Sequence, residues 1–268
     1  MIDIHAHILP GVDDGPRDWQ ESLAILQRGR ADGIRGVVCT SHVLDRLDAE
    51  VERTLIQKFK ALEKIVQENG LDIRLWLGSE IHSQTKFDLT SKVATVNGNG
   101  KYLLFELPLG ELPQDVGDIL FHISMEGVTP ILAHPERNTV IMRRPETAFD
   151  FVRRGVLLQL NAGSITGDFG KKVKGIATLL LDHRCVHFVA SDCHSVRNRP
   201  MVLSKAYHVV ERRWGRETAE RLFRSNPYKA VMGEEIVSQT PVVYAERKSR
   251  AGRIFGARLI KNRSHADG

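Results

Sequence analysis

Short apolar runs recur seven times along this chain, most of them separated by longer stretches of helical periodicity, and few folds accommodate that pattern. The runs at 2–4, 36–40, 73–77, 102–105, 129–133, 156–160 and 186–190 read as strands that are apolar throughout. Such strands are covered on both faces, as in parallel sheets joined by helical crossovers. Helices are predicted over 19–32, 49–69, 115–126, 146–154, 170–182 and 201–214, with Gly33 and Gly70 closing the first two. Two more, at 217–223 and 227–232, finish the body. Repeated right-handed crossovers over seven strands favour a distorted seven-stranded β/α barrel with C-terminal helices, an α/β fold, over an open doubly wound sheet. An open sheet would carry a phosphate-binding glycine loop after its first strand. Here histidines follow instead. The barrel is assigned to residues 1–240 and a basic, flexible tail to 241–268.

Charge sharpens that division. The net charge of +5 invites a nucleic-acid reading, but residues 246–268 hold seven Lys and Arg against two acids. That leaves 31 basic and 31 acidic residues in 1–245, so the body is neutral. No apolar run approaches the roughly 18 residues of a membrane span, and the opening MIDIHAH is not a secretory leader. Three cysteines are too few for a disulfide framework. A cytoplasmic enzyme is the expectation.

The histidines and carboxylates fall where such a barrel would use them. His5 and His7 stand two apart at the end of the first strand, so both can project to one side. Asp13 and Asp14 follow in the loop, and spacing does not choose between them, because either could cap the turn at Gly15-Pro16. His42 ends the second strand, Glu80 the third, Glu106 the fourth and His134 the fifth, while Asp192 and His194 end the seventh. Metal-capable side chains thus close six of seven strands, all on the rim where β/α barrels build their sites. Imidazole with carboxylate and no thiolate suits Mn²⁺, Fe²⁺ or Zn²⁺. So many donors imply two or three ions sharing a bridging carboxylate, able to hold and deprotonate a water and to stabilise phosphoryl transfer. Arg137 and Arg199 lie close behind two of these ligands, and guanidinium forks fit phosphate oxygens. A phosphate ester is therefore the expected substrate.

Other residues read as ordinary. His82, His122, His183, His187, His208 and His265 are assigned no ligand role, with His82 the least secure because it shares a strand face with Glu80. Cys193 and Arg199 reproduce the C-x₅-R spacing of thiolate phosphatases. That loop relies on backbone N–H groups around the phosphate, yet the intervening HSVRN has no glycine and Pro200 removes a donor.

At MIDIHAHILPGVDDGP, TSH at 40–42, GSE at 78–80, FELP at 105–108, AHPERN at 133–138 and ASDCH at 190–194, the chain resembles the polymerase-and-histidinol-phosphatase family of metal-dependent phosphoesterases. The similarity spans about residues 1–235 and is greatest to the bacterial protein-tyrosine phosphatases of capsule and exopolysaccharide gene clusters. It implies a distorted barrel holding three ions, usually manganese. By that pattern His5, His7, Glu80 and Asp192 hold one ion, Glu80, Glu106 and His134 a second, and Asp14, His42 and His194 a third. Arg137 and Arg199 match the phosphate-contacting arginines. Glu106 stands where other branches have histidine, which supports the tyrosine-phosphatase branch. The implied substrate is the phosphotyrosine segment of a membrane-anchored bacterial tyrosine kinase controlling polysaccharide export. The rival activity is that of a small-molecule phosphatase such as histidinol-phosphate phosphatase. A nucleic-acid-binding module driven by the tail ranks last, since the neutral body has only 6% aromatic residues for stacking. The tail offers at most weak membrane-surface contact, because its apolar residues Ile254, Phe255, Ala257, Leu259 and Ile260 form no helical stripe.

Overall fold

The computed structural model describes residues 1–242, and the greater part of the expected basic tail, from 243 onward, lies outside the described residues. Seven strands, β1 Ile2–Ala6, β2 Gly36–Val43, β3 Arg74–His82, β4 Tyr102–Glu106, β5 Thr129–Ala133, β6 Leu157–Asn161 and β7 Phe188–Ala190, pair in chain order and in parallel throughout. The ring nearly closes. At the β1–β7 seam, the Ala6–Cys193 bridge is joined by His7 N–H to Cys193 O at 2.9 Å and Asp192 N–H to His5 O at 2.9 Å. Buried Asp3 strengthens the seam by accepting from the backbone N–H of Ser191 at 3.0 Å and from its hydroxyl. The expected α/β barrel is therefore the observed fold.

Helices α1 Trp19–Ala31 and α2 Ala49–Glu68 form the first outer crossovers, and each starts on an aspartate. Asp18 accepts from Glu21 N–H, and Asp48 from the N–H groups of Glu50 and Val51, which satisfies otherwise orphaned donors. Helices α3 Val116–Met125, α4 Thr139–Arg143, α5 Glu146–Arg153, α6 Ala162–Thr166, α7 Lys171–Asp182 and α8 Ser204–Trp214 continue the outer layer. Between β3 and β4 there is no α-helix, only irregular chain and a 3₁₀ turn at Val96–Gly98. The short α4 and α6 have no counterpart in the sequence reading, since five residues are too few for a periodicity to declare itself.

Two apolar clusters follow from strand alternation. Val37, Cys39, Leu103, Phe105, Leu132 and Leu158 face the helices. Ile4, Val38, Leu104, Ile131, Leu157 and Phe188 fill the barrel interior. The bottom of that interior is stoppered by Ala230 and Val231. The two C-terminal helices expected at 217–223 and 227–232 are in fact one continuous path: α9 Arg216–Glu220, a π-helical turn Arg221–Ser225, and α10 Asn226–Met232. Pro227 has no N–H to donate and its ring crowds the carbonyl four residues back, so the preceding turn widens instead of breaking.

Candidate metal centre

Three backbone devices aim the rim side chains inward. Between Asp3 and Ala6, β1 carries one residue more than β2, a bulge in the ladder. Ile4 therefore joins the interior cluster while Ala6 faces the helices, and the shifted phase turns His5 and His7 toward the axis. On β2 and β3 plain alternation suffices, placing His42 and Glu80 above Val38 and Gly78. His134 and Asp192 leave β5 and β7 at φ of 32° and 53°, left-handed backbone that side chains rarely adopt. Two of the four non-glycine residues with positive φ among those described thus lie at one site, and the strain re-aims their side chains.

All nine residues expected as ligands converge. Glu80 Oε2 is the hub, with His5 Nε2, His7 Nε2 and His42 Nδ1 at 3.1, 3.2 and 3.0 Å. Its other oxygen stands 3.1 Å from His134 Nε2. Glu106 lies 3.5 Å from His134 and 3.4 Å from His42. Asp192 Oδ1 is 3.4 Å from His5 and 3.6 Å from His194. Asp14 lies 3.1 Å from His194 and 3.6 Å from His42. Four groupings bring their donor atoms within 4.8 Å of one another: His7, Asp14, His42 and His194; His5, His134 and Asp192; His5, His7 and Glu80; and His42, Glu80 and Glu106. They overlap more than the three-ion division drawn from the family resemblance, with His42 also facing Glu80 and Glu106, and His134 also facing His5 and Asp192.

The donor set fits divalent cations on an observation independent of resemblance. Glu80 Oε2, His42 Nδ1 and His194 Nε2 are buried, yet none makes a hydrogen bond of acceptable geometry despite close neighbours. His5 Nε2 and His7 Nε2 face each other at 3.1 Å, and in the neutral rings, whose Nδ1 hydrogens go to Gln159 and Asp13, both would offer lone pairs to the same space. Buried polar atoms left this way are costly unless a cation satisfies them.

Electrostatics agree. Burial opposes ionisation of Glu80, but His5, His134 and His42 around it hold its carboxyl well below the usual range. Burial opposes charge on His7 too, yet Asp13 and Glu80 hold its pKa up at about 10. His194 goes the other way, pushed down to about 3 by burial and the nearby positive charges of His7 and Arg199. Burial, followed by the Glu80 charge, raises Glu106. Carboxylates that hold protons on imidazoles in this manner exchange those protons for a metal ion.

The Asp13/Asp14 ambiguity separates in space. Asp13 accepts from His7 Nδ1 at 2.8 Å, His42 N–H at 3.0 Å and Gly15 N–H at 3.0 Å, and so orients a candidate ligand. Asp14 presents its carboxylate to His42 and His194. Sequence reasoning missed the supporting amides on β6, the one strand with no candidate ligand. Gln159 accepts from His5 Nδ1 at 2.8 Å and donates to Asn161, which donates to Asp192 at 2.6 Å. An amide at the polar end of an apolar strand was the available signal.

Arg137 and Arg199 both reach Asp192, the former at 3.0 Å. Arg137 also stacks over the Phe169 ring at 4.7 Å, and that ring packs on Gly163, where a Cβ would lie 2.9 Å away. Cys193, by contrast, is fully buried in the outer apolar layer, and burial with the Asp3 charge pushes its thiol well up. A thiolate nucleophile finds no support there. His82 lines the hollow beside the centre but joins none of the four groupings.

The family model for capsular polysaccharide synthesis, CpsB/CapC, matches residues 1–232. The putative tyrosine-protein phosphatase CapC of Staphylococcus aureus is 33% identical over 211 residues, which cover 78% of this chain and 82% of that protein. The tyrosine-protein phosphatase YwqE of Bacillus subtilis is 30% identical over 250 residues, covering 92% and 98%. A solved structure from work on YwqE of Bacillus subtilis and CpsB of Streptococcus pneumoniae, described as metal-dependent tyrosine phosphatases, superposes with a TM-score of 0.82 at 28% identity. It covers 91% of this chain and 100% of its own.

Proposed function

This chain belongs to the CpsB/CapC family of capsular polysaccharide synthesis, and on that premise we propose that it is a metal-dependent protein-tyrosine phosphatase. The observation that carries the reading is the buried set of unmatched donors around Glu80, bordered by two arginines on Asp192. His5, His7, Asp14, His42, Glu80, Glu106, His134, Asp192 and His194 would hold two or three ions, and manganese is our assignment. Bound there, such ions supply a water activated near neutral pH and a positive field for the phosphoryl oxygens.

The protein's own groups do the remaining work. Arg137 and Arg199 hold non-bridging oxygens in place, with Phe169 limiting the swing of Arg137. Asp13 keeps His7 in one tautomer, and Gln159 does the same for His5. Tyrosinate, with a pKa of about 10, leaves without a dedicated acid.

We assign as substrate the phosphotyrosine segment of a membrane-anchored bacterial tyrosine kinase, met on the cytoplasmic side. No helix among the described residues is long and apolar enough to cross a membrane.

Chelation should abolish hydrolysis of a phosphotyrosyl peptide and Mn²⁺ should restore it, with Cys193→Ser responding as the wild type does. Full activity in excess chelator, lost on Cys193→Ser, overturns the metal reading. A higher kcat/KM for histidinol phosphate than for the peptide overturns the substrate.

A further inference from the structure

The rim is polarised. Arg137 and Arg199 both stand at Asp192, on the β5–β7 side. On the other side a groove of about 990 Å³ is lined by Asp14, His42 and Glu106 of the centre, by Leu44, Pro108 and Leu109, and by charged side chains at 45–50. Neither arginine lines it. Arg199 lines a separate hollow with Asp14 and His194. A phosphate ester held by the arginines can therefore direct its leaving group into bulk solvent, into the hollow that Arg199 lines or into this groove, and of the two hollows only the groove offers exposed leucines.

The groove walls are unusual. Leu44 is 55% exposed and Leu109 43% exposed, two of only eight large apolar side chains left in solvent among the described residues. Each follows a strand that carries a candidate ligand: Leu44 two residues after His42, Leu109 three after Glu106. Neither sits on a loose backbone. Thr85 Oγ1 donates to the carbonyls of Val43 and Leu44 at 2.6 and 3.0 Å, and Lys86 N–H donates to Asp45 O. In the second lining segment, Asn138 Nδ2 donates to Pro108 O at 2.7 Å and Thr139 N–H to Leu109 O at 2.8 Å. Exposed leucines on pinned backbones give this otherwise mostly polar groove a preformed apolar stretch beside the centre, and apolar surface next to polar anchors holds ligands.

We propose that Leu44 and Leu109 clasp the aromatic ring of the phosphotyrosyl substrate and thereby set the enzyme's preference for aryl over alkyl phosphates. The assignment rests on the phosphatase reading and adds an orientation to it. The phosphate points at Asp192 and its arginines, the ester oxygen lies over Glu80 and Glu106, and the ring lies in the groove. Phosphoserine and small alkyl phosphates reach the same metal centre but leave the slot empty.

The test compares the metal-loaded wild type with Leu44→Ser/Leu109→Ser on a phosphotyrosyl peptide, phenyl phosphate and glycerol 2-phosphate. The double variant should raise KM about tenfold for both aryl substrates, equal to about 1.4 kcal/mol. Its aryl-over-alkyl ratio of kcat/KM should fall by the same factor. Leu44→Met/Leu109→Met should restore the ratio, while Phe121→Ser, another exposed apolar position far from the rim, should leave it unchanged. Equal losses on aryl and alkyl substrates, or no loss on either, overturn the ring assignment while the phosphatase reading stands. A wild type that turns over alkyl phosphates but no aryl phosphate overturns the tyrosine-phosphatase reading itself.

Discussion

Two adjacent aspartates have opposite tasks here, and neighbours rather than sequence decide which has which. Asp13 is tied by one imidazole and two backbone N–H groups; the largest effect on its carboxyl, burial, would raise its pKa, but these contacts bring it down to about 2. Asp14 has a side chain 64% exposed, with its oxygen turned to two histidines. Gly15 makes the arrangement fit, because a Cβ there would lie 2.9 Å from Asp13 Oδ1 and 3.0 Å from His7 O. The Asp13→Asn variant keeps a hydrogen-bond acceptor near His7 but loses the charge that makes the imidazole a stronger donor to metal. Affinity for Mn²⁺ should drop about 10- to 100-fold, read by calorimetric titration, while the metal-free variant melts close to wild type. Unchanged affinity would reduce Asp13 to a turn former. What the sequence left open at this pair was the direction of each side chain, and adjacent carboxylates in a loop carry no periodicity from which to infer it.

At the scale of elements, most of the barrel was legible because apolar runs and glycine stops mark strands and helices directly. Strand ends were harder. β1, β2 and β3 continue two to five residues past the apolar runs, through His5, His42 and Glu80. Polar residues normally announce a loop, but here they are buried by one another around the site, a tertiary effect no local pattern contains. His187 illustrates the same override. It reads as an unremarkable histidine, yet it ties β6 to the C-terminal segment, accepting from Leu158 N–H at 3.1 Å through Nδ1 and meeting Ser238 Oγ at 2.6 Å through Nε2. Asn226 of α10 donates to its carbonyl at 2.9 Å. Burial, helped by the Arg221 charge, pushes its pKa down from 6.5 to about 4. The unfolded chain therefore binds the proton more readily. The contribution to stability is complete above pH 6.5 and is lost as pH falls toward 4, on the order of 3 kcal/mol in all. In urea titrations at pH 7 and 4.5, His187→Gln should narrow the stability difference between the two conditions by about 2 kcal/mol. An undiminished difference would place the acid sensitivity elsewhere.

The whole molecule depends on closing a ring whose last pairing is its weakest. β2 and β3 share an eight-residue register, whereas β1 meets the β7 side through one bridge and a few flanking hydrogen bonds. The candidate ligands straddle that seam, His5 from β1 and His7 just after it, and Asp192 and His194 from the segment after β7. Ions held between them would join the two edges where the backbone does so least. Binding to the folded state alone stabilises it by about 2.7 kcal/mol at a free ion concentration one hundred times Kd. For a chain of this size that corresponds to a rise in Tm of about 5 to 10 °C. Chelation should reverse the rise, and the loss should be local before it is global. Amide hydrogens of residues 5–7 and 190–194 should exchange faster in chelator, while those of Val38 and Leu77, inside the β2–β3 ladder, keep their protection. A melting temperature indifferent to Mn²⁺, or exchange that rises evenly around the barrel, would mean the ring is held shut by packing alone and the rim donors serve chemistry without serving the fold.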